Sequence, residues 1–132
     1  MADYAGKWLS HADFTKQRQN SADALLRQVN LLLNAAQRAG VDLPINPATG
    51  SQVSGQQYGG FRPQSCSIGA PESAHKVGMA VDIYDPANKL DAWINDGILT
   101  QYQLYREAPE STPGWCHLTT RAPRSGRRTF KP

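Results

Sequence analysis

Between Val81 and Ile83 the chain holds a carboxylate, Asp82, inside the apolar run Ala80-Val-Asp-Ile-Tyr84. The alternation of a strand sends Val81 and Ile83 to one face and Asp82 to the other. An ionised carboxylate turned into a folded interior is costly without a strong partner. Whatever fold forms must therefore bring a cation to that point. His75 and Gly78 stand just upstream, Pro86 stops the strand just downstream, and Trp115-Cys-His117-Leu118 offers a second imidazole far along the chain. A divalent metal held by His75, Asp82 and His117 would meet the requirement. A nearby arginine paired with Asp82 is the plainer alternative.

The rest of the pattern argues for an α+β fold, helices on one side of a small, mainly antiparallel sheet. Leu25, Leu26, Val29, Leu32, Leu33 and Ala36 recur at three- and four-residue spacing and predict a helix over 21–39, capped by Ser21 and stopped at Gly40. Ser10 and Asp13 suggest a short helix over 10–17, with His11 as a surface residue. Residues 41–60 are rich in Pro, Gly, Asn and Ser and read as turns, with a short strand over 51–54, and 63–71 reads as a loop. A strand over 80–84 precedes a helix over 87–95, with Leu90, Trp93 and Ile94 inward and Gly97 as its stop. Loose alternation predicts a strand over 99–105, and another follows the 108–113 loop at 115–119, with His117 and Trp115 on one face.

At 132 residues the chain suits a single domain, 1–132, with no internal repeat or dividing linker. No run of about 18 apolar residues is present to span a membrane, and the N-terminus has no signal-peptide pattern. Synthesis in the cytoplasm with action in the periplasm or cell wall would then need another route of release. The net charge of +3 is uneven: no acid follows Glu110, while Arg121, Arg124, Arg127, Arg128 and Lys131 crowd a basic C-terminal tail at 121–132. That tail is either simply solvated or drawn to an anionic polymer of the cell envelope. No aromatic platform or motif points to nucleic acid. Cys66 and Cys116 are too few for a disulfide framework and are expected as reduced thiols.

The segment Ser73-x-His75-x-x-Gly78-x-Ala80-x-Asp82-Ile83, followed by Trp115-x-His117, resembles the zinc D-alanyl-D-alanine peptidases and related phage endolysins of the peptidase M15 family. Gly60-Phe-Arg62 resembles that family's glycine–aromatic–arginine segment, and the likeness extends over roughly 25–118. The resemblance implies a zinc hydrolase of bacterial peptidoglycan peptides, often ones with D-amino acids. It implies His75, Asp82 and His117 as zinc ligands, with water at the remaining position, and Arg62 as the group that binds substrate and holds developing negative charge. Ser73 would support the site by hydrogen bonding, and Tyr58, Tyr84, Trp93 and Trp115 are candidate pocket walls.

The chain departs from that pattern three residues before the second histidine. There the family carries a Glu or Asp general base, and this chain has Gly114. Glu107 at a strand end and Glu110 in a loop are the nearby replacements, Glu107 on the more rigid mount. If neither acts, the chain is a non-catalytic zinc-binding module of the same fold, such as a virion component. A monomer is expected in either case.

Overall fold

The computed structural model describes residues 1–55, 58–68 and 73–131. The apolar stripe forms α2, Lys16–Arg38, after a short α1, Ala2–Ala5, and a 3-10 turn at Gly6–Trp8. Leu25, Val29, Leu32 and Ala36 of α2 are buried in one core with Val81, Ile83, Leu99, Leu104 and Leu118. The helix begins earlier than its stripe suggests. Thr15, not Ser21, caps it by accepting from the Arg18 N–H, and Ser21 lies inside. No helix spans 10–17; turns lead into Lys16, and His11 is half-buried, its ring edge-on to Trp8 at 5.7 Å.

Four strands form the sheet: β1 Ala80–Tyr84, β2 Tyr105–Glu107, β3 Trp115–Thr119 and β4 Thr129–Phe130. Their order is β1-β3-β2-β4, antiparallel except for the parallel β2–β4 pair, and the helices pack alongside. The α+β expectation holds. Residues 51–54 contribute only isolated bridges, including Val53 to Ile83. Of the expected 63–71 loop, 63–68 contains no helix or strand and 69–71 lie outside the described residues.

The region 87–105 differs from its expected pattern. The helix expected over 87–95 shortens to α3, Lys89–Trp93, whose first turn is held by Asp85 accepting from the Leu90 and Asp91 N–H groups, each at 3.0 Å. The strand expected over 99–105 forms only at Tyr105, where β2 begins: α4 covers Asp96–Gln101, with Gly97 inside it rather than at a stop. Asn95 starts this helix by accepting from the Ile98 N–H at 2.9 Å, a local cap that outweighs weak alternation. Gln103, at φ +58°, then turns the chain into β2.

Much of the basic C-terminal segment is held to the body. Thr129–Phe130 forms the edge strand, and the Arg128 guanidinium lies 4.3 Å above the Tyr105 ring. Cys66 and Cys116 are free thiols, as expected. Among the described residues no helix is long and apolar enough to cross a membrane.

Candidate metal centre

β1 and β3 pair with Asp82 opposite His117. Asp82 spends its own peptide groups on the other side, its N–H donating to Gly59 at 2.6 Å and its carbonyl accepting from Ser54 at 2.8 Å. Asp82 and His117 therefore form a non-hydrogen-bonded pair of the ladder, the kind in which facing side chains approach most closely. Asp82 Oδ1 accordingly lies 2.8 Å from His117 Nδ1.

His75 reaches the same oxygen from a different element. Ser73 caps the 3-10 turn Ala74–Val77, its hydroxyl accepting from the His75 N–H at 3.3 Å. Gly78 then turns the chain back into β1 at φ +74°, and a Cβ there would stand 2.5 Å from the Arg18 carbonyl oxygen of α2. His75 is thereby buried, with Nε2 3.4 Å from Asp82 Oδ1. Its Nδ1 lies 2.8 Å from the Gly60 carbonyl oxygen. A carbonyl only accepts, so Nδ1 carries a proton and Nε2 is the ring nitrogen that faces Asp82.

The 60–62 segment is fixed in turn. Arg62 N–H donates to the His75 carbonyl and Phe61 N–H to that of Tyr4, each at 3.2 Å. A Cβ on Gly60 would collide with the Tyr4 carbonyl. Arg62 Nε donates to the Tyr58 carbonyl at 2.8 Å, and its Nη2 lies 3.6 Å from Asp82 Oδ2. Burial pushes the Asp82 carboxyl up, but the His75 and His117 imidazoles more than offset this and hold it well below the usual carboxylate range.

One donor atom each from His75, Asp82 and His117 lies within 4.8 Å of the others. Zinc binds nitrogen and oxygen at about 2 Å, which sets its donors roughly 3–4 Å apart. The donor set, its spacing and the fixed His75 tautomer fit a divalent ion, and the cluster is consistent with a metal-binding site. The Arg62 contact is also present, but it engages the other carboxylate oxygen.

The cluster opens into a cavity of about 430 Å³ lined also by Arg62, Ser73, Glu107 and Trp115. Burial pushes the Glu107 carboxyl above its ordinary range, partly countered by His117. Glu110 sits instead in the 3-10 turn Pro109–Ser111 and lines a separate cavity with Arg127 and Lys131. Gly114 adopts φ +91° with open space where a Cβ would be. Of the aromatics considered as walls, Trp115 lines the cavity; Tyr58 is exposed, and Trp93 packs on the core. Phe130, not anticipated, completes the wall with its ring edge-on to His117 at 6.3 Å. A strand of only two residues leaves too little pattern to find it in advance.

No family model matches the chain, and no curated protein or solved structure matches it either.

Proposed function

We propose that the chain is a zinc-dependent peptidase of the M15 type, hydrolysing peptide bonds of bacterial peptidoglycan, including bonds to D-amino acids. The observation that carries this reading is the convergence of the His75, Asp82 and His117 donors in a cavity that also presents Arg62 and Glu107. A zinc ion held by those three residues would supply Lewis acidity, polarising the scissile carbonyl and easing deprotonation of water. Arg62 stabilises negative charge on the carbonyl oxygen. Glu107 takes a proton from the attacking water and returns it to the departing amine nitrogen. Its half-buried position and raised carboxyl suit that exchange. Glu110, on its separate cavity, is the weaker choice for this role. Trp115 and Phe130 shield the reacting groups from bulk water. The protein acts as a monomer at the wall after release from the cell that makes it.

Gly114, without a side chain at the position where the resembled family carries its base, favours a second reading: a zinc-holding module that binds wall peptides without cutting them. Elemental analysis and a peptidoglycan digest read by mass spectrometry separate the two. The peptidase reading expects stoichiometric zinc and released peptides, both lost in His75→Ala. It expects Glu107→Gln to keep its zinc and slow hydrolysis about 10²–10⁴-fold. Zinc without peptide release favours the module, and absence of zinc reduces the cluster to an ion-paired carboxylate.

A further inference from the structure

Only one side of β1 is paired to a strand, β3. Asp82 turns its N–H and carbonyl to the other side, and Ala80, two residues earlier, turns its own carbonyl the same way. Backbone covers part of this edge. Gly59 accepts from the Asp82 N–H, Ser54 donates to the Asp82 carbonyl, and Gln52 accepts from the Tyr84 N–H at 2.7 Å. The Ala80 carbonyl is met by a side chain instead: the Tyr4 hydroxyl donates to it at 2.9 Å, across 76 positions of sequence.

Tyr4 is buried and comes from α1, a single turn closed by the Ala5 N–H donating to the Met1 carbonyl at 2.9 Å. Its other contacts fall on the segment that faces His75. The Tyr4 carbonyl accepts from the Phe61 N–H at 3.2 Å. A Cβ on Gly60 would stand 2.9 Å from Tyr4 Cδ1, so the ring lies against the Gly60 backbone. Gly60 in turn accepts from His75 Nδ1, and the Arg62 N–H donates to the His75 carbonyl. Tyr4 therefore spans two pieces of chain that must be in register for the cluster to form. One is the start of β1, which carries Asp82; the other is the 60–62 segment, which orients His75 and carries Arg62. Beside the direct bond from Asp82 to Gly59, Tyr4 is a second strut between them.

We infer that Tyr4 is a positioning residue for the candidate metal centre, holding the Gly60 carbonyl and Asp82 at the spacing that lets His75 and Asp82 share one ion. The assignment rests on the zinc part of the proposed function, not on hydrolysis. Without the strut, an ion must restore the order of the two segments as it binds, and affinity falls by the fraction of time that they are in place. The hydroxyl makes one neutral hydrogen bond, so its loss is expected to weaken zinc by about 2- to 10-fold.

Tyr4→Phe tests this, because it removes the hydroxyl while keeping the ring and the backbone bond to Phe61. Leu32→Ala, in the same core on α2, controls for a general loss of stability. Both are compared with wild type under conditions where all three are folded. Residue-resolved amide hydrogen exchange of the metal-free protein reads the two segments, and competition with a chelator reads zinc affinity. Tyr4→Phe speeds exchange at Phe61, Arg62 and Asp82 by about 2- to 10-fold more than at Leu104 and Leu118, and weakens zinc by a similar factor. Leu32→Ala leaves zinc affinity unchanged. Exchange that rises equally at Leu104 and Leu118 makes Tyr4 a stabiliser only and overturns the assignment. So does unchanged zinc affinity in Tyr4→Phe, or an equal loss of affinity in Leu32→Ala. A wild type that takes up no zinc removes the proposed function, while a local change in exchange, which needs no metal, still sustains the strut.

Discussion

The Nδ1 of His75 lies 2.8 Å from the carbonyl oxygen of Gly60, on the segment that also carries Arg62. One backbone carbonyl thus sets the tautomer of a candidate ligand. The same segment delivers the arginine, so the candidate metal centre and the proposed charge-stabilising group are coupled through a few peptide units. Partners that orient a ligating imidazole in this way fix its tautomer and ring orientation and raise its basicity as a ligand.

Disturbing Gly60 is expected to disturb both. Gly60→Ala drives a methyl into the Tyr4 carbonyl, an overpacking that costs about 1–3 kcal/mol. Zinc affinity falls about 10- to 100-fold as the His75 ring loses its partner. Urea denaturation and competition with a chromogenic chelator measure the two; unchanged affinity would separate the carbonyl from the ion seat.

Gly78→Ala meets a different obstacle. The position requires φ +74°, and the added carbon approaches the Arg18 carbonyl oxygen to 2.5 Å. Backbone strain of this kind costs about 1–3 kcal/mol before the clash is counted. A urea midpoint equal to that of wild type would contradict the geometry.

For Glu107 the sign of the pH effect can be worked out. Its carboxyl is raised in the folded protein, chiefly by burial, from an ordinary value of 4.5. The folded state therefore holds this proton more tightly than the unfolded chain. The associated stability is fully present below 4.5 and is lost as pH rises through the raised folded value. Metal-free Glu107→Gln, which has no such loss, should gain thermal stability over wild type at neutral pH relative to any difference seen in acid. A difference that does not change with pH would argue against a buried carboxylate here.

On the opposite side of the sheet from the metal cluster, Arg106 is bound to Asp91. Its Nη1 lies 2.7 Å from the Asp91 carbonyl and 3.3 Å from Oδ1, and its Nε donates to Thr129 Oγ1 at 3.0 Å. Asp91→Ala leaves a buried guanidinium without its counter-charge, a loss of about 3–5 kcal/mol. Equilibrium denaturation reads the loss, and a change under 1 kcal/mol, of the order of an exposed pair, would show the pair to be solvated.

The thiols should respond unequally. Cys116 is fully buried, and burial together with the neighbouring Asp91 pushes its thiol well up, whereas Cys66 is partly exposed. An aromatic disulfide reagent should titrate Cys66 in the native protein and reach Cys116 only in denaturant. Prompt reaction of both would indicate that the core opens readily.

The parts of the site that sequence made legible are those with a strong local pattern. An acid between Val81 and Ile83, and alternation through Trp115–Thr119, placed β1 and β3 correctly and put Asp82 and His117 on facing strands. The α2 stripe marked a core helix but not its start, because the added first turn, from Lys16, is polar and its signal is a single hydroxyl at Thr15. Residues 99–105 alternate loosely like a strand, yet a side-chain cap at Asn95 starts a helix that runs through 101. The separation of Glu107 from Glu110 onto different cavities was only half legible. A strand end could be recognised as the firmer mount, but the 3-10 turn that sends Glu110 to another cavity depends on packing. The role of 121–131 as a wall was hidden altogether, since charge dominates its composition and its strand is two residues long.

β3 has a hydrogen-bonded neighbour on each edge, and β1 is flanked by β3 and by the Ser54 and Gly59 peptides. Amide hydrogens in such doubly flanked ladders exchange slowly, while exposed stretches such as 124–127 open first. Thermal breathing that starts at 124–127 thus leaves the pairing of Asp82 with His117 untouched, and the two facing side chains keep their spacing while the neighbouring loop opens and closes.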